Sequence, residues 1–271
     1  MKKRIISIIL VFILAVSLLG TAAFAAPAQT MCINGSNDKV TCIEDTNKLG
    51  SGKIIFYPDE LEASEEQYPL IVWANGTGCI TQTYYPLLQK FAAAGYVIVA
   101  DTTVMSADGT AQVNSVDYAI AKNADESSVL CGKIDTDSIA AAGHSQGGRS
   151  AVNAAALDSR IDCVLSIAGS SYKSEAAAVS CPVFFMTGTA DLIVLSSMWV
   201  KPAYENVQGN AVYASLKGGV HTTCMVTPSK VAGYGIAWFD AQLKGDDSAA
   251  AVFAPGGALA SDSAWKYFAC K

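Results

Sequence analysis

A chain of 271 residues with 24 acidic and 18 basic side chains, formal charge −6, is a poor partner for nucleic acid, whose phosphates it would repel. Eight cysteines but only two histidines, with no C-x-x-C pair, argue against a zinc site and leave disulfides as the expected use of the thiols. Hydrophobic residues make up 51% of the chain, enough to build one large core.

The opening stretch "MKKRIISIILVFILAVSLLGTAAFAAPAQ" places Lys2, Lys3 and Arg4 before an apolar run that ends in Ala23-Phe24-Ala25. A charged head, an apolar middle and a small-residue exit are the pattern of a secretory signal peptide over residues 1–25, cleaved near Ala25. No cysteine stands there for lipid attachment, and no later segment is long and apolar enough to span a bilayer. The expected product, residues 26–271, is a single exported domain without stable membrane insertion, and a monomer is favoured.

From there strands and helices alternate. "GKIIFYP" is rich in β-formers, and "PLIVWAN" is a continuous apolar run suited to a strand buried on both faces. The acidic "DELEASEEQ" between them reads as a solvated turn. "TYYPLLQKFAAAG" predicts a helix with Pro86 in its first turn, Leu87, Leu88 and Phe91 inward, and Gly95 as its stop. "YVIVADT" is a second buried strand, and "AQVNSVDYAIAKNA" a helix burying Val113, Val116, Ala119 and Ile120. "SIAAAGHS" predicts a strand, "QGGRSAVNAAAL" a helix, and "CVLSIAG" and "CPVFFMTG" two further strands. "SSMWVKPAYENV" reads as a helix that Pro202 must break or kink. "AVYASLKG" is the last expected strand, and "SKVAGYGIAWFDAQLKG" the closing helix. This order means an α/β fold: a mostly parallel central sheet with helices on both faces and no large lid domain. In such sheets ligands bind at the carboxyl ends of the strands, so functional residues should follow strands and share one edge.

Gly143-His144-Ser145-Gln146-Gly147 joins a predicted strand to a predicted helix. Alone, G-x-S-x-G is a weak signal, and glycine-flanked serine turns are common. Between a strand and a helix it has the setting of a nucleophile elbow, with Ser145 held above the sheet at a helix N-terminus. A serine hydroxyl needs a base to take its proton. His144 leaves the turn in another direction from its neighbour Ser145, so His221, just beyond the last predicted strand, is the candidate. Asp191, in the loop after "CPVFFMTG", is the candidate carboxylate to hold that imidazole. Asp101 precedes the nucleophile in the chain, Asp135 and Asp137 lie at the far edge, and Asp240 is inside the last helix. The oxyanion donors expected are the backbone N–H groups of Gln146 and of Thr77 in "WANGTGC". Asn75-Gly76-Thr77 is also a glycosylation sequon, expected to be unused because a glycan would crowd the site.

With these residues in place, the chain from about Gly52 to Lys244 resembles the α/β-hydrolase superfamily. More narrowly, "IVWANGTG", "FAAAGYVIVADTT", "KIDTDSIAAAGHSQGG", "CPVFFMTGTADLIV", "GGVHTTC" and "GIAWFDAQL" are similar, in the same order, to the dienelactone-hydrolase-like branch that holds secreted cutinase-like polyester hydrolases, poly(ethylene terephthalate) hydrolases included. The resemblance implies Ser145, Asp191 and His221 as a catalytic triad and Thr77 with Gln146 as oxyanion donors. It also implies a substrate wall near Ser170 and Ile193. Three departures weaken the case for aromatic substrates: Gln146 stands where the family usually has Met, Thr77 where it often has an aromatic residue, and Ser170 where it often has Trp.

The expected activity is carboxylic-ester hydrolysis through an acyl-enzyme, on a small-molecule ester or a polyester, with no cofactor and no metal. A serine peptidase or acyltransferase on the same triad is the rival enzyme, and a catalytically silent binding protein the rival of another class. Candidate disulfides are Cys32–Cys42 in the N-terminal segment, Cys79–Cys224 at the active edge, Cys163–Cys181 at the opposite edge, and the remaining Cys131–Cys270.

Overall fold

The computed structural model describes residues 39–45 and 52–271, so the expected signal segment and Cys32 lie outside the described residues. Among the described residues nine strands form one sheet: β1 (Val40–Asp45), β2 (Lys53–Pro58), β3 (Tyr68–Ala74), β4 (Val97–Asp101), β5 (Ile134–His144), β6 (Cys163–Ile167), β7 (Val183–Gly188), β8 (Ala211–Leu216) and β9 (Trp265–Cys270). Their order across the sheet is β1-β2-β4-β3-β5-β6-β7-β8-β9. The six strands from β4 to β8 are parallel. At the two ends β1, β2 and β9 pair antiparallel. The helices, in chain order, are α1 (Tyr85–Ala93), α2 (Thr110–Ala124), α3 (Gln146–Leu157), α4 (Lys173–Ala176), α5 (Val200–Asn206), α6 (Thr223–Val226), α7 (Ser229–Leu243), α8 (Asp247–Ala251) and α9 (Ala258–Ser261). This is the α/β architecture expected from the alternating pattern.

The period of two in the strands sorts side chains between two apolar layers. Ile71 and Trp73 of β3 join Leu165, Phe184, and Phe91 and Phe239 of α1 and α7. Leu70 and Val72, the alternate residues of the same strand, pack with Val116 of α2, Val152 of α3 and Val200 of α5. Phe91 and Phe239 meet edge to face with centroids 5.3 Å apart, a geometry that adds about 0.5–1.5 kcal/mol to their burial. Gln112, polar yet fully buried in α2, donates from Nε2 to the carbonyls of Val72 (3.0 Å) and Ala142 (2.9 Å), bridging β3 to β5 from the helix side.

After β3 the chain moves outward to β4, whereas after β5 it moves the other way to β6. The carboxyl ends of β3 and β5, which are paired neighbours, therefore form a topological switch point with a crevice between diverging loops. Residues 75–81 and Ser145 both leave the sheet there.

Four expectations change. The strands β1 and β9 extend the sheet beyond the predicted set; "WKYFAC" is rich in β-formers, and in β1 Val40 and Cys42 alternate inward. The helix expected from Ser196 begins at Val200, which puts Pro202 in its first turn, where backbone N–H groups lack intrahelical acceptors and proline breaks nothing. The acidic stretch holds one turn of 3-10 helix over Asp59–Glu62, its acids exposed but Leu61 fully buried. Among the described residues no disulfide forms: Cys79, Cys131, Cys163, Cys181, Cys224 and Cys270 are free thiols, while the Cys32–Cys42 pairing lies outside the described residues. Cys131–Cys270 is excluded by topology. Cys131 precedes β5 and Cys270 lies on β9, four strand spacings or about 19 Å away, against the ~7 Å limit between Cα atoms for a bridge.

Helix α3 crosses the end of β3 backbone to backbone. A Cβ on Gly147 would sit 2.0 Å from the Ala74 carbonyl oxygen, and one on Gly143 2.3 Å from that of Gly147. Replacing Gly147 by alanine should therefore destabilise the fold by about 1–3 kcal/mol or more, read as a lowered midpoint in chemical denaturation. An unchanged midpoint would mean that helix and strand separate at little cost.

Candidate functional site

Ser145 occupies the turn between β5 and α3 with φ 57° and ψ −120°, a conformation that side-chain-bearing residues rarely adopt. The turn is held from both sides. The Ser145 N–H donates to the Ile167 carbonyl at 2.9 Å, and its own carbonyl accepts from Arg149 at 3.2 Å. The glycines at 143 and 147 are needed for closeness rather than for dihedral freedom, since Ser145 itself carries the positive φ.

Asp191 follows β7 and His221 follows β8, so both reach the same edge as Ser145. His221 Nε2 lies 2.9 Å from Ser145 Oγ, and its Nδ1 lies 2.8 Å from Asp191 Oδ2. A carboxylate only accepts, so Nδ1 carries the proton and Nε2 is left to accept from the serine hydroxyl. Asp191 has no exposed side-chain surface, and its other oxygen accepts from the backbone N–H groups of Ile193 and Val194, each at 2.9 Å. Burial alone pushes this carboxyl's pKa up. The His221 bond and charge together with the two backbone donors outweigh it and hold the group below the usual carboxylate range.

Gln146 is the first residue of α3, where a backbone N–H has no intrahelical acceptor and the helix dipole favours negative charge. Thr77 stands exposed across the switch point in the loop after β3. Its neighbours are fixed: the Gly76 N–H donates to Tyr84 Oη at 3.0 Å, and the Gly78 N–H to the Val104 carbonyl at 2.9 Å. The Gln146 side chain has a second contact, accepting the Ser106 N–H at 3.0 Å and so tethering the loop between β4 and α2. Ser170 is half-buried after β6, and the Ile193 side chain is 52% exposed beside Asp191.

The rival carboxylates are engaged elsewhere. Asp101 is in a buried ion pair with Lys53 and accepts the Thr103 N–H, while Asp240 accepts from Tyr96 and pairs with Lys244. Asp135 and Asp137 lie near the start of β5, at the opposite edge. Asn75 is fully buried, its Nδ2 bonded to Thr81 Oγ1 and the Asp101 carbonyl at 2.9 Å each, so the sequon is closed to glycosylation in the folded chain. Tyr172 lies half-exposed against the Arg149 guanidinium (4.3 Å to the ring centroid) and Trp199 (centroids 5.4 Å apart).

His144 adjoins Ser145 in the chain. Its ring is tied to the site. Nδ1 lies 2.9 Å from Tyr84 Oη, and Nε2 lies 2.8 Å from the backbone carbonyl of His221. Burial, with the nearby His221 as a second cause, lowers its pKa to about 3, so the ring is neutral at any ordinary pH. The motif displays His144 openly, whereas its tyrosine partner, 60 residues earlier in the chain, carries no local signal. Among the described residues no cluster of His, Cys, Asp and Glu is arranged to hold a metal ion, and no helix is long and apolar enough to cross a membrane.

Two cutinases of Thermobifida alba, est2 and est1, are each 23% identical to this chain over 241 residues, which span 85% of it and 78% and 79% of theirs. Residues 26–266 match the family described as PETase, PET hydrolase-like, which covers both loops at the switch point and every strand-end residue named above. The chain belongs to the PET hydrolase-like family.

Proposed function

We propose that this protein is an exported serine carboxylic-ester hydrolase that works through Ser145, His221 and Asp191. The observation that carries the reading is the unbroken hydrogen-bond chain from Ser145 Oγ to His221 Nε2, and from Nδ1 to Asp191. In the first step Ser145 Oγ attacks the ester carbonyl as His221 takes its proton. The backbone N–H groups of Gln146 and Thr77 then receive the developing oxyanion at the N-terminus of α3. His221 returns the proton to the leaving alkoxide, and the alcohol departs. Water, deprotonated by His221, releases the acid from the acyl-enzyme. Asp191 stays ionised and stabilises the imidazolium in both halves. This chemistry needs no metal or cofactor, and residues 1–25 supply the signal for export.

The finer reading concerns the substrate. Side chains of Met105, Leu192, Ile193 and Met198 stand exposed on loops at this edge, between 52% and 85% accessible. They favour an apolar ester over a peptide, whose backbone amides would have to be desolvated against them. Polyester is the extended form of such a substrate, and the cutinase relatives support it. Ser170 offers no ring for an aromatic acyl group, so aliphatic polyester is favoured over terephthalate.

Ser145→Ala should abolish turnover of a short p-nitrophenyl ester and of fluorophosphonate labelling while leaving the thermal midpoint within a few degrees of wild type. Retained turnover would remove Ser145 from the mechanism. Asp191→Asn should lower kcat by about 10³–10⁴-fold through the wrong imidazole tautomer, and a loss under tenfold would exclude that role. With Asp191 held low and His144 neutral down to about pH 3, the acid side of the kcat/KM profile between about pH 5 and 8 should follow a single proton. A second ionisation in that window would show that one of these two groups titrates there.

A further inference from the structure

Two buried aromatic side chains outside the three catalytic groups join the two loops that the proposed reaction needs in register. The Gly76 N–H donates to Tyr84 Oη at 3.0 Å, and Tyr84 lies 2.9 Å from His144 Nδ1. His144 Nε2 lies 2.8 Å from the His221 carbonyl. The direction of every proton follows. A carbonyl only accepts, so His144 Nε2 carries the hydrogen, which leaves Nδ1 to accept the Tyr84 hydroxyl hydrogen. The tyrosine oxygen is then free to accept from Gly76. Tyr84 is 0% and His144 2% exposed.

We propose that Tyr84 and His144 are positioning residues that clamp the His221 loop to the oxyanion loop, fixing the catalytic imidazole relative to the Thr77 donor. The inference rests on the ester-hydrolase reading above and deepens it. The backbone around His221 shows why a clamp is needed. The neighbouring carbonyls of Val220 and Thr222 accept from the N–H groups of Thr223, Met225 and Val226 in the short helix α6. That of His221 accepts from the imidazole of His144. The two histidine rings are also in contact, with centroids 4.7 Å apart. On the other side, a Cβ on Gly76 would come within 2.9 Å of Tyr84 Oη and 3.2 Å of His144 Nδ1, so the oxyanion loop rests directly on the pair. An ordinary core position would take an apolar ring here. Two polar rings in a dry site are stabilised only if each hydrogen bond is made, and each is.

Three variants of the full chain test the clamp, assayed for kcat and KM on a short p-nitrophenyl ester, thermal midpoint and fluorophosphonate labelling. Tyr84→Phe keeps the ring and removes the hydroxyl. It should lower kcat about tenfold or more with KM within about twofold, because loop misplacement harms the transition state rather than ester binding. His144→Leu should lose about 100-fold in kcat. His144→Gln, whose amide nitrogen can still donate to the His221 carbonyl, should regain about tenfold over the leucine variant, a rescue that packing alone does not explain. Wild-type kcat in Tyr84→Phe, or a glutamine variant no faster than the leucine one, overturns the clamp. If His144→Leu does not fold, Tyr84→Phe decides. A wild-type chain that neither labels nor hydrolyses esters removes the hydrolase reading and the clamp with it. A labelled, active wild type beside an unimpaired Tyr84→Phe removes the clamp alone.

Discussion

Where the start of α3 lies against the end of β3, two backbones touch with no side chain between them, and the geometry of the edge follows from that contact. Gly143 and Gly147 allow it, and Ser145 takes up the strain as a positive φ. Because the helix is pressed onto the strand, its N-terminus is brought beside the loop of Gly76 and Thr77 at the point where the sheet's connections diverge. A helix even a side chain's width further out would separate Ser145 from that loop. The cost of the strained residue is met by the apolar layers on each face, where Phe91, Phe239, Val152 and Val164 are sealed from water.

Around this contact the two imidazole tautomers are each set by an oxygen that cannot donate. Asp191 fixes the proton of one imidazole, and the His221 carbonyl fixes that of the other. The two histidines, side by side in space, therefore hold their hydrogens on opposite nitrogens. Asp191 stays charged because its three neighbouring donors and the charge of His221 outweigh the penalty of burial, and His144 stays neutral because burial and the nearby His221 both disfavour its charged form. One ring lies between a carboxylate and a hydroxyl, the other between a phenol and a backbone carbonyl.

Much of this was legible in the residues alone, for a physical reason. Parallel strands buried on both faces write themselves as unbroken apolar runs, so "PLIVWAN" and "CPVFFMTG" could be placed, and with them the edge to which Ser145, Asp191 and His221 belong. The outermost strands β1 and β9 are partly exposed, and a mixed pattern such as "VTCIED" does not stand out from a loop. The bridging Gln112 and the partner of His144 were invisible because they depend on contacts far apart in sequence, and a buried glutamine reads as a surface residue of its helix. Thiol pairing was beyond reach for the same reason. Adjacent strand starts suggest proximity, yet pairing by elimination sent Cys131 toward a strand whose position had not been recognised.

The turn that anchors Asp191 separates two kinds of constraint. Its carboxylate is gripped by the main chain of Ile193 and Val194, whereas the side chains of Leu192 and Ile193 project outward, 85% and 52% exposed. Main-chain amides are common to all residues but proline, so the outward side chains are free to be exchanged while the acid keeps its place. The outer face of this loop can therefore change without moving the buried acid.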